Sequence, residues 1–306
     1  MDVFILKMIA TIFMIIDHVA NVFGDWNIIP GPVAFRMHMI GRISFPVCAF
    51  LISNGWKNTN NKRKYFIRMT LFACISQIPY TLALFPVNKM VIRAGENASY
   101  YLGSIFKFYL MLNLLYIILC LYCYYNFALQ KKKHLSILIL SSALLLRLLL
   151  FESNYIWFLG DTSNVFYTLA LGIYAIYCWD YFIPFRKHRW NDYLLLCSLL
   201  MSCLLLNIEY GVMGILLILA LHIFKNKGNQ FIAIIMWGLF TYGIINIQGA
   251  IYHNWPFFSC VLISDIILMF YNGKKGRKFK YLFYIIYPLH LAILGIINIY
   301  LRIGDV

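Results

Sequence analysis

Charged side chains are scarce in this sequence. Asp, Glu, Lys and Arg make up only 12% of its 306 residues, against 62% hydrophobic and 18% aromatic, and the mean hydropathy is +0.76. With so little charge, no single water-soluble core could hide the apolar side chains, which excludes an ordinary soluble domain and implies a polytopic membrane protein. Other absences narrow the reading. Cys120-Leu-Tyr-Cys123 has the C-x-x-C spacing but neither a second pair nor a strand-to-helix context, so it indicates neither a zinc site nor a redox motif. The eight cysteines (Cys48, Cys74, Cys120, Cys123, Cys178, Cys197, Cys203 and Cys260) fall in or near apolar spans, where a thiol behaves as a small hydrophobe and no disulfide is implied. No metal site is expected. No small-residue cleavage site follows the first apolar run, so that run is expected to stay as a helix. A net charge of +15 comes without any nucleic-acid-binding module, and nucleic acid is not an expected partner.

What the chain does have is apolar runs long enough for a bilayer. About eleven candidate spans can be marked: Val3 to Phe23, Met39 to Trp56, Tyr65 to Phe85, Ser104 to Leu129, Leu135 to Phe151, Ser163 to Phe185, Asp192 to Leu206, Tyr210 to Phe224, Phe231 to Ile247, Trp255 to Tyr271 and Tyr281 to Leu301. Helices are the spanning structure compatible with such continuous runs, so the expected fold is an all-α transmembrane bundle forming one domain over 1–306. Lys and Arg alternate between loops. Those at 57–68, 131–133, 186–189, 225–227 and 274–280 carry 18 of them, while the intervening loops and the tail hold only Arg36, Lys89, Arg93 and Arg302. That asymmetry places the N-terminus in the cytoplasm and explains the basic balance as a topology signal, with lipids as the surrounding partner.

Against this background a few polar residues stand out. Asp17 and His18 lie inside Phe13-Met14-Ile15-Ile16-Asp17-His18-Val19, where ionisable groups are costly and default to a functional role. His18 falls roughly 20 to 23 Å from the cytoplasmic end of its helix, at about 1.5 Å per residue. Arg42, entering the second span from outside, lies at a similar depth. Neighbouring residues on a helix point about 100° apart. Asp17 is therefore expected to pair with Arg42 and to leave His18 facing a cavity. Lys7, Thr11, Met14 and His18 recur at helical spacing along one stripe, which either lines a channel from the cytoplasmic side or reflects a snorkelling lysine and a threonine bonded to its own backbone. In the last span His290 follows Tyr287-Pro288, and Pro288 lacks the amide that would bond the carbonyl of Tyr284.

At these residues the chain resembles a known family. Met14-Ile-Ile-Asp17-His18, Ile40-Gly41-Arg42-Ile43-Ser44-Phe45-Pro46, Tyr65-Phe-Ile-Arg68 after a short basic loop, and Ser76-Gln77-Ile78-Pro79-Tyr80 are similar to the TraX family. So are Tyr271-Asn272-Gly273-Lys274-Lys275-Gly276 and Phe283-Tyr284-Ile-Ile-Tyr287-Pro288-Leu289-His290-Leu291 near the end. In the middle, Asn164-Val-Phe-Tyr-Thr168-Leu-Ala-Leu-Gly172 and Glu209-Tyr210-Gly211-Val-Met-Gly214 follow in the family's order. Two positions depart from the pattern: Asn54-Gly55 stands where an acidic residue precedes glycine, and Glu209 where Asp is more usual. The resemblance implies a bacterial integral membrane acetyltransferase, multi-pass in the cytoplasmic membrane. Such an enzyme uses acetyl-CoA and an acceptor such as a peptide amino terminus or a glycan, and is distantly similar to enzymes that carry acetyl groups across membranes.

Acyl transfer from a thioester needs a base to take the acceptor's proton, and a neutral imidazole suits that task near pH 7. His18 is the expected base. Arg42 could stabilise the oxyanion where Asp17 does not fully neutralise it, and His290 could serve as a hydrogen-bond donor or alternative base. Lys7, Thr11 and Tyr287 are the candidate contacts for the acyl donor. The same buried Asp17, Arg42, Asp265 and His290 would suit a proton-coupled or small-molecule transporter, although no internal repeat of the kind such folds often carry is evident.

Overall fold

Asp2 opens the first helix by accepting the amide of Ile5 at 2.9 Å, and α1 then runs without a break over Val3–Asp25. The computed structural model describes residues 1–84, 163–182, 199, 208–244, 255–277 and 281–304. Twenty-three residues at about 1.5 Å each give α1 a length of about 35 Å, enough for a hydrocarbon core of about 30 Å. The chain turns at Trp26–Pro30 and returns as α2 (Gly31–Gly41) and α3 (Ser44–Lys57). The two are separated because Pro46 has no amide to offer the carbonyl of Arg42. At the junction the amides of Arg42 and Ile43 instead bond three residues back, to Met39 and Ile40, both at 3.1 Å. α2 and α3 together form one bent span, Gly31–Lys57. The second span therefore begins eight residues earlier than its expected start at Met39, because Gly31 to His38 is apolar enough to enter the membrane despite its Arg and His.

α1 to α3 belong to a compact unit that also contains the end of α4 (Lys62–Leu84), most of α6 (Gly211–Ile223), α7 (Lys227–Gly238), α8 (Trp255–Met269) and α9 (Leu282–Gly304). α9 lies along α1 in the same direction. Phe4 packs edge-on to Phe283 and Lys7 sits over the same ring, His18 meets His290, and the Trp26 indole donates to Asn298 Oδ1 at 2.8 Å. Asn298 Nδ2 in turn donates to Ala83 O at 2.9 Å and Leu82 O at 3.3 Å, near the end of α4. At the opposite end, the amide of Val3 donates to Lys274 O at 3.0 Å, and Asn54 Nδ2 donates to the Tyr271 hydroxyl at 2.9 Å. Gln230 closes the end of α6 by donating to Leu221 O and Phe224 O. α7 continues as a π-helical turn over Leu239–Ile244, and Gly238 brings it so near α8 that a Cβ there would lie 2.8 Å from Val261 Cγ1.

The second unit covers Thr59–Ile78 and Phe85–Ile215. Its described part pairs α4 with an antiparallel α5 (Val165–Phe182), from Lys62–Asp180 at one end through Phe66–Tyr174 to Gln77–Asn164 at the other. The buried Asn164 is fully used. Its Nδ2 donates to Ala73 O and Gln77 Oε1, its amide donates to Gln77 Oε1, and its Oδ1 accepts the amide of Phe166 to start α5. The Thr168 hydroxyl donates to Glu209 O and the Glu209 amide to Ser163 O, so the two family-like middle segments meet each other.

Among the described residues the protein is all-helical, apart from one isolated bridge between Ser163 and Ile208. Four helices are long and apolar enough to cross a membrane: Val3–Asp25, Gly31–Lys57, Lys62–Leu84 and Leu282–Leu301. Val165–Asp180, Gly211–Ile223 and Trp255–Met269 are shorter apolar helices. The expected spans Ser104 to Leu129, Leu135 to Phe151 and Asp192 to Leu206 lie outside the described residues, as do Cys120, Cys123, Cys197 and Cys203.

α9 shows what solvent the fold is built for. Its exposed face is Ile285, Leu289, Ile293 and Ile296, the last 68% exposed, while Tyr287, His290 and Asn298 are turned inward. Apolar outside and polar inside is the arrangement of a membrane protein. In the first unit the cations Lys57, Lys225, Lys227, Lys274, Lys275 and Arg277 are all exposed and lie at the end where α1 begins. The parallel course of α1 and α9 requires an odd number of membrane crossings from the first to the last. Single cysteines at Lys225 and Lys275 are expected to react with a membrane-impermeant reagent from one face and a cysteine at Asn27 from the other. Labelling of all three from the same face would refute this topology.

Candidate active site

Asp17 and His18 point to different helices, as their 100° separation demands. Asp17 is buried against α2. His38 Nδ1 donates to its Oδ1 at 2.8 Å and Arg42 Nη2 to the same oxygen at 3.3 Å. The expected pairing of Asp17 with Arg42 is present, and His38 joins it. The close approach depends on Gly41, since a Cβ at that position would fall 2.5 Å from Asp17 Cβ. Arg42 also lies over the Phe257 ring of α8, 5.7 Å from its centroid, an attraction that works best away from water. A carboxylate in hydrocarbon is costly unless charged partners and hydrogen bonds surround it, and this one has both.

His18 is turned to α9. Its Nδ1 lies 2.8 Å from His290 Nε2, and the two ring planes are 5° apart with centroids separated by 5.1 Å. Those values place the rings edge to edge in one plane, so the bond runs along the nitrogen lone pair. The tautomers follow from the far end of the chain. His290 Nδ1 is 2.9 Å from the carbonyl of Ile286, which can only accept, so Nδ1 carries the proton and Nε2 the lone pair. His18 Nδ1 must then be the donor, and the lone pair of the neutral ring sits on His18 Nε2. Tyr287, itself buried, meets both rings edge to face at 6.2 and 5.5 Å. The pair is thus held by a backbone carbonyl, a proline-containing helix and an aromatic wall, and it presents one basic nitrogen.

Asp17, His18, Arg42, Tyr287 and His290 all belong to this one region, where α1 meets α2 and α9. Lys7 and Thr11 lie further along α1 towards the basic end, both half-buried, with Lys7 against Phe283. The residue that sequence reasoning missed is His38. It falls one residue outside the span assigned from Met39, yet its spacing of four from Arg42 puts both on one helix face, and that was the available signal. No group of three or more His, Cys, Asp or Glu suited to a metal ion occurs among the described residues.

Fold and site together define a helical membrane protein with a buried ionisable cluster joining its first two spans to its last. More narrowly, the chain belongs to the TraX family: the family described as TraX protein matches residues 3–156 and 118–298. It is also similar to the probable fimbrial assembly protein FimC, serogroup H1, of Dichelobacter nodosus, with 25% identity over 312 residues covering 98% of this chain and 96% of that protein. No solved structure matches.

Gly41→Ala tests whether the site depends on the contact between α1 and α2. The added methyl overlaps Asp17, and overpacking of this kind costs about 1–3 kcal/mol. A clearly lowered thermal unfolding midpoint is expected for the purified protein. An unchanged midpoint would mean that the two helices do not approach so closely.

Proposed function

We propose that this protein is a membrane-embedded acyltransferase, moving an acetyl or short acyl group from acetyl-CoA on the cytoplasmic side to an amine or hydroxyl acceptor approaching from the outer side. The observation that carries the reading is the in-plane His18–His290 pair. It leaves a lone pair on His18 Nε2 and stands next to a carboxylate and a guanidinium inside hydrocarbon. Acetyl-CoA would supply an activated thioester carbonyl. His18 Nε2 takes the proton that the acceptor loses as it attacks that carbonyl, then gives it to the departing thiolate, so acid and base are one atom. His290 holds the His18 ring in place by accepting from its Nδ1. Arg42 offers positive charge to the carbonyl oxygen, and its attachment to Asp17 fixes where that charge sits.

The exposed cations at the start of α1 suit the phosphates of the donor, and Lys7, Thr11 and Tyr287 lie along the way from that end to His18. About 10 Å of helix separates Thr11 from His18 at ~1.5 Å per residue, within reach of an extended pantetheine arm. The relative named for fimbrial assembly favours an acceptor that is itself an exported polypeptide. With the basic end in the cytoplasm, the membrane concerned is the bacterial cytoplasmic membrane.

A proton-coupled transporter is the second reading, and Asp265 favours it. This residue of α8 is 7% exposed, and neither carboxyl oxygen has a hydrogen-bond partner among the described residues. Incubation of the purified protein with radiolabelled acetyl-CoA and a tripeptide amide bearing a free amino terminus separates the two. Thiol release with labelled peptide is expected, falling by roughly 10²- to 10⁴-fold in His18→Ala, the usual contribution of a general base. Wild-type protein that releases no thiol would leave transport as the better reading.

A further inference from the structure

We propose that His38 is a second catalytic base, which removes the proton from an incoming ammonium so that a neutral amine reaches His18. The inference rests on the acyltransferase reading. A peptide amino terminus has a pKa of about 7.7–8.0, so near neutral pH it arrives mostly as R–NH3⁺ and cannot attack a carbonyl. It must lose one proton before attack and another as the new N–C bond forms. The second proton ends on the thiolate when the C–S bond breaks, and the first is the net proton released. One base cannot hold both while the acceptor is bound. A hydroxyl acceptor has only one proton to lose.

The structure offers two imidazoles of fixed tautomer, His18 next to Asp17 in α1 and His38 bonded to Asp17 from α2. His18 is 3% exposed and has the reaction's buried face. The His38 side chain is 27% exposed, and it sits in α2 seven residues from the outer start of that helix. Its Nδ1 donates to Asp17 Oδ1, a group that only accepts when ionised, so the lone pair of the neutral ring is on Nε2. Asp17 orients the ring, and the start of α2 is about 10 Å away at ~1.5 Å per residue, so the proton leaves by that end. Among the described residues, the charged and titratable groups nearest His38 are Asp17, bonded to its ring, His18 of α1, and Arg42, which shares Asp17 Oδ1, while Arg36 lies two positions away on the exposed face of α2. α8, which packs against α2, carries Cys260 and Asp265. Asp17 is the group bonded to the ring.

The test follows acetyl transfer in wild type, His38→Gln and His18→Ala, with the tripeptide amide and with hydroxylamine as acceptors, at pH 6.5 and pH 9. Gln can still donate to Asp17, so the variant keeps the hydrogen bond and loses the base. With the peptide, His38→Gln is expected to be slower than wild type by roughly 20- to 30-fold at pH 6.5, the inverse of the neutral fraction of an amine with that pKa. It should come within about twofold at pH 9, where the amine is already neutral. With hydroxylamine, largely neutral at both pH values, it should match wild type. His18→Ala should be slower than wild type by roughly 10²- to 10⁴-fold under all four conditions. A His38→Gln protein equally impaired with both acceptors and at both pH values would overturn the proposal and make His38 only a structural ligand of Asp17. So would one unimpaired with the peptide at pH 6.5. Wild-type protein that acetylates neither acceptor would overturn the acyltransferase reading itself, and this inference with it.

Discussion

The buried carboxylate of Asp17 is the interaction on which the rest of the site depends. Burying such a charge without partners would cost several kcal/mol. His38 and Arg42 both donate to one of its oxygens, and Gly41 gives up a side chain so that α2 can come close enough for them to do so. That single contact fixes the crossing of α1 and α2, the tautomer of His38 and the position of the Arg42 charge. It also fixes His18, because a helix that turns Asp17 to α2 turns the next residue elsewhere, and the partner waiting there is α9.

The pairing with α9 gives the site its direction. A carbonyl that can only accept, at Ile286, sets the tautomer of His290, which sets that of His18, and the free lone pair ends on His18 Nε2. Because α1 and α9 run in parallel, the same two helices link the basic end, where Lys7 and Phe283 meet, to the far end, where Asn298 joins Trp26 to the end of α4. In the acyl transfer we propose, donor and acceptor enter the same pair of helices from opposite ends without passing each other.

Much of this was legible in the sequence. The apolar runs gave the helical class, and the beginnings of α1, α8 and α9 were placed within a residue of those expected. Depth along a helix and the 100° rule were enough to pair Asp17 with Arg42. What sequence could not supply was tertiary. His18 and His290 are 272 residues apart, and no local pattern joins them. The bend at Arg42 depends on Pro46 acting four residues back, and a hydropathy run does not register it, so hydropathy alone begins the second span at Met39 and leaves His38 outside it. Thr168 and Glu209 belong to separate family-like segments, and that one donates to the other is visible only in the fold.

We propose that the protein moves an acyl group from one side of a membrane to the other through His18. The most direct measurement uses protein reconstituted in sealed vesicles with its basic end outward. Labelled acetyl-CoA is added outside, and the tripeptide amide is either trapped within or added outside. The account predicts labelled peptide inside the vesicles, dependent on His18. Labelling only when peptide and acetyl-CoA share the outer compartment would contradict it.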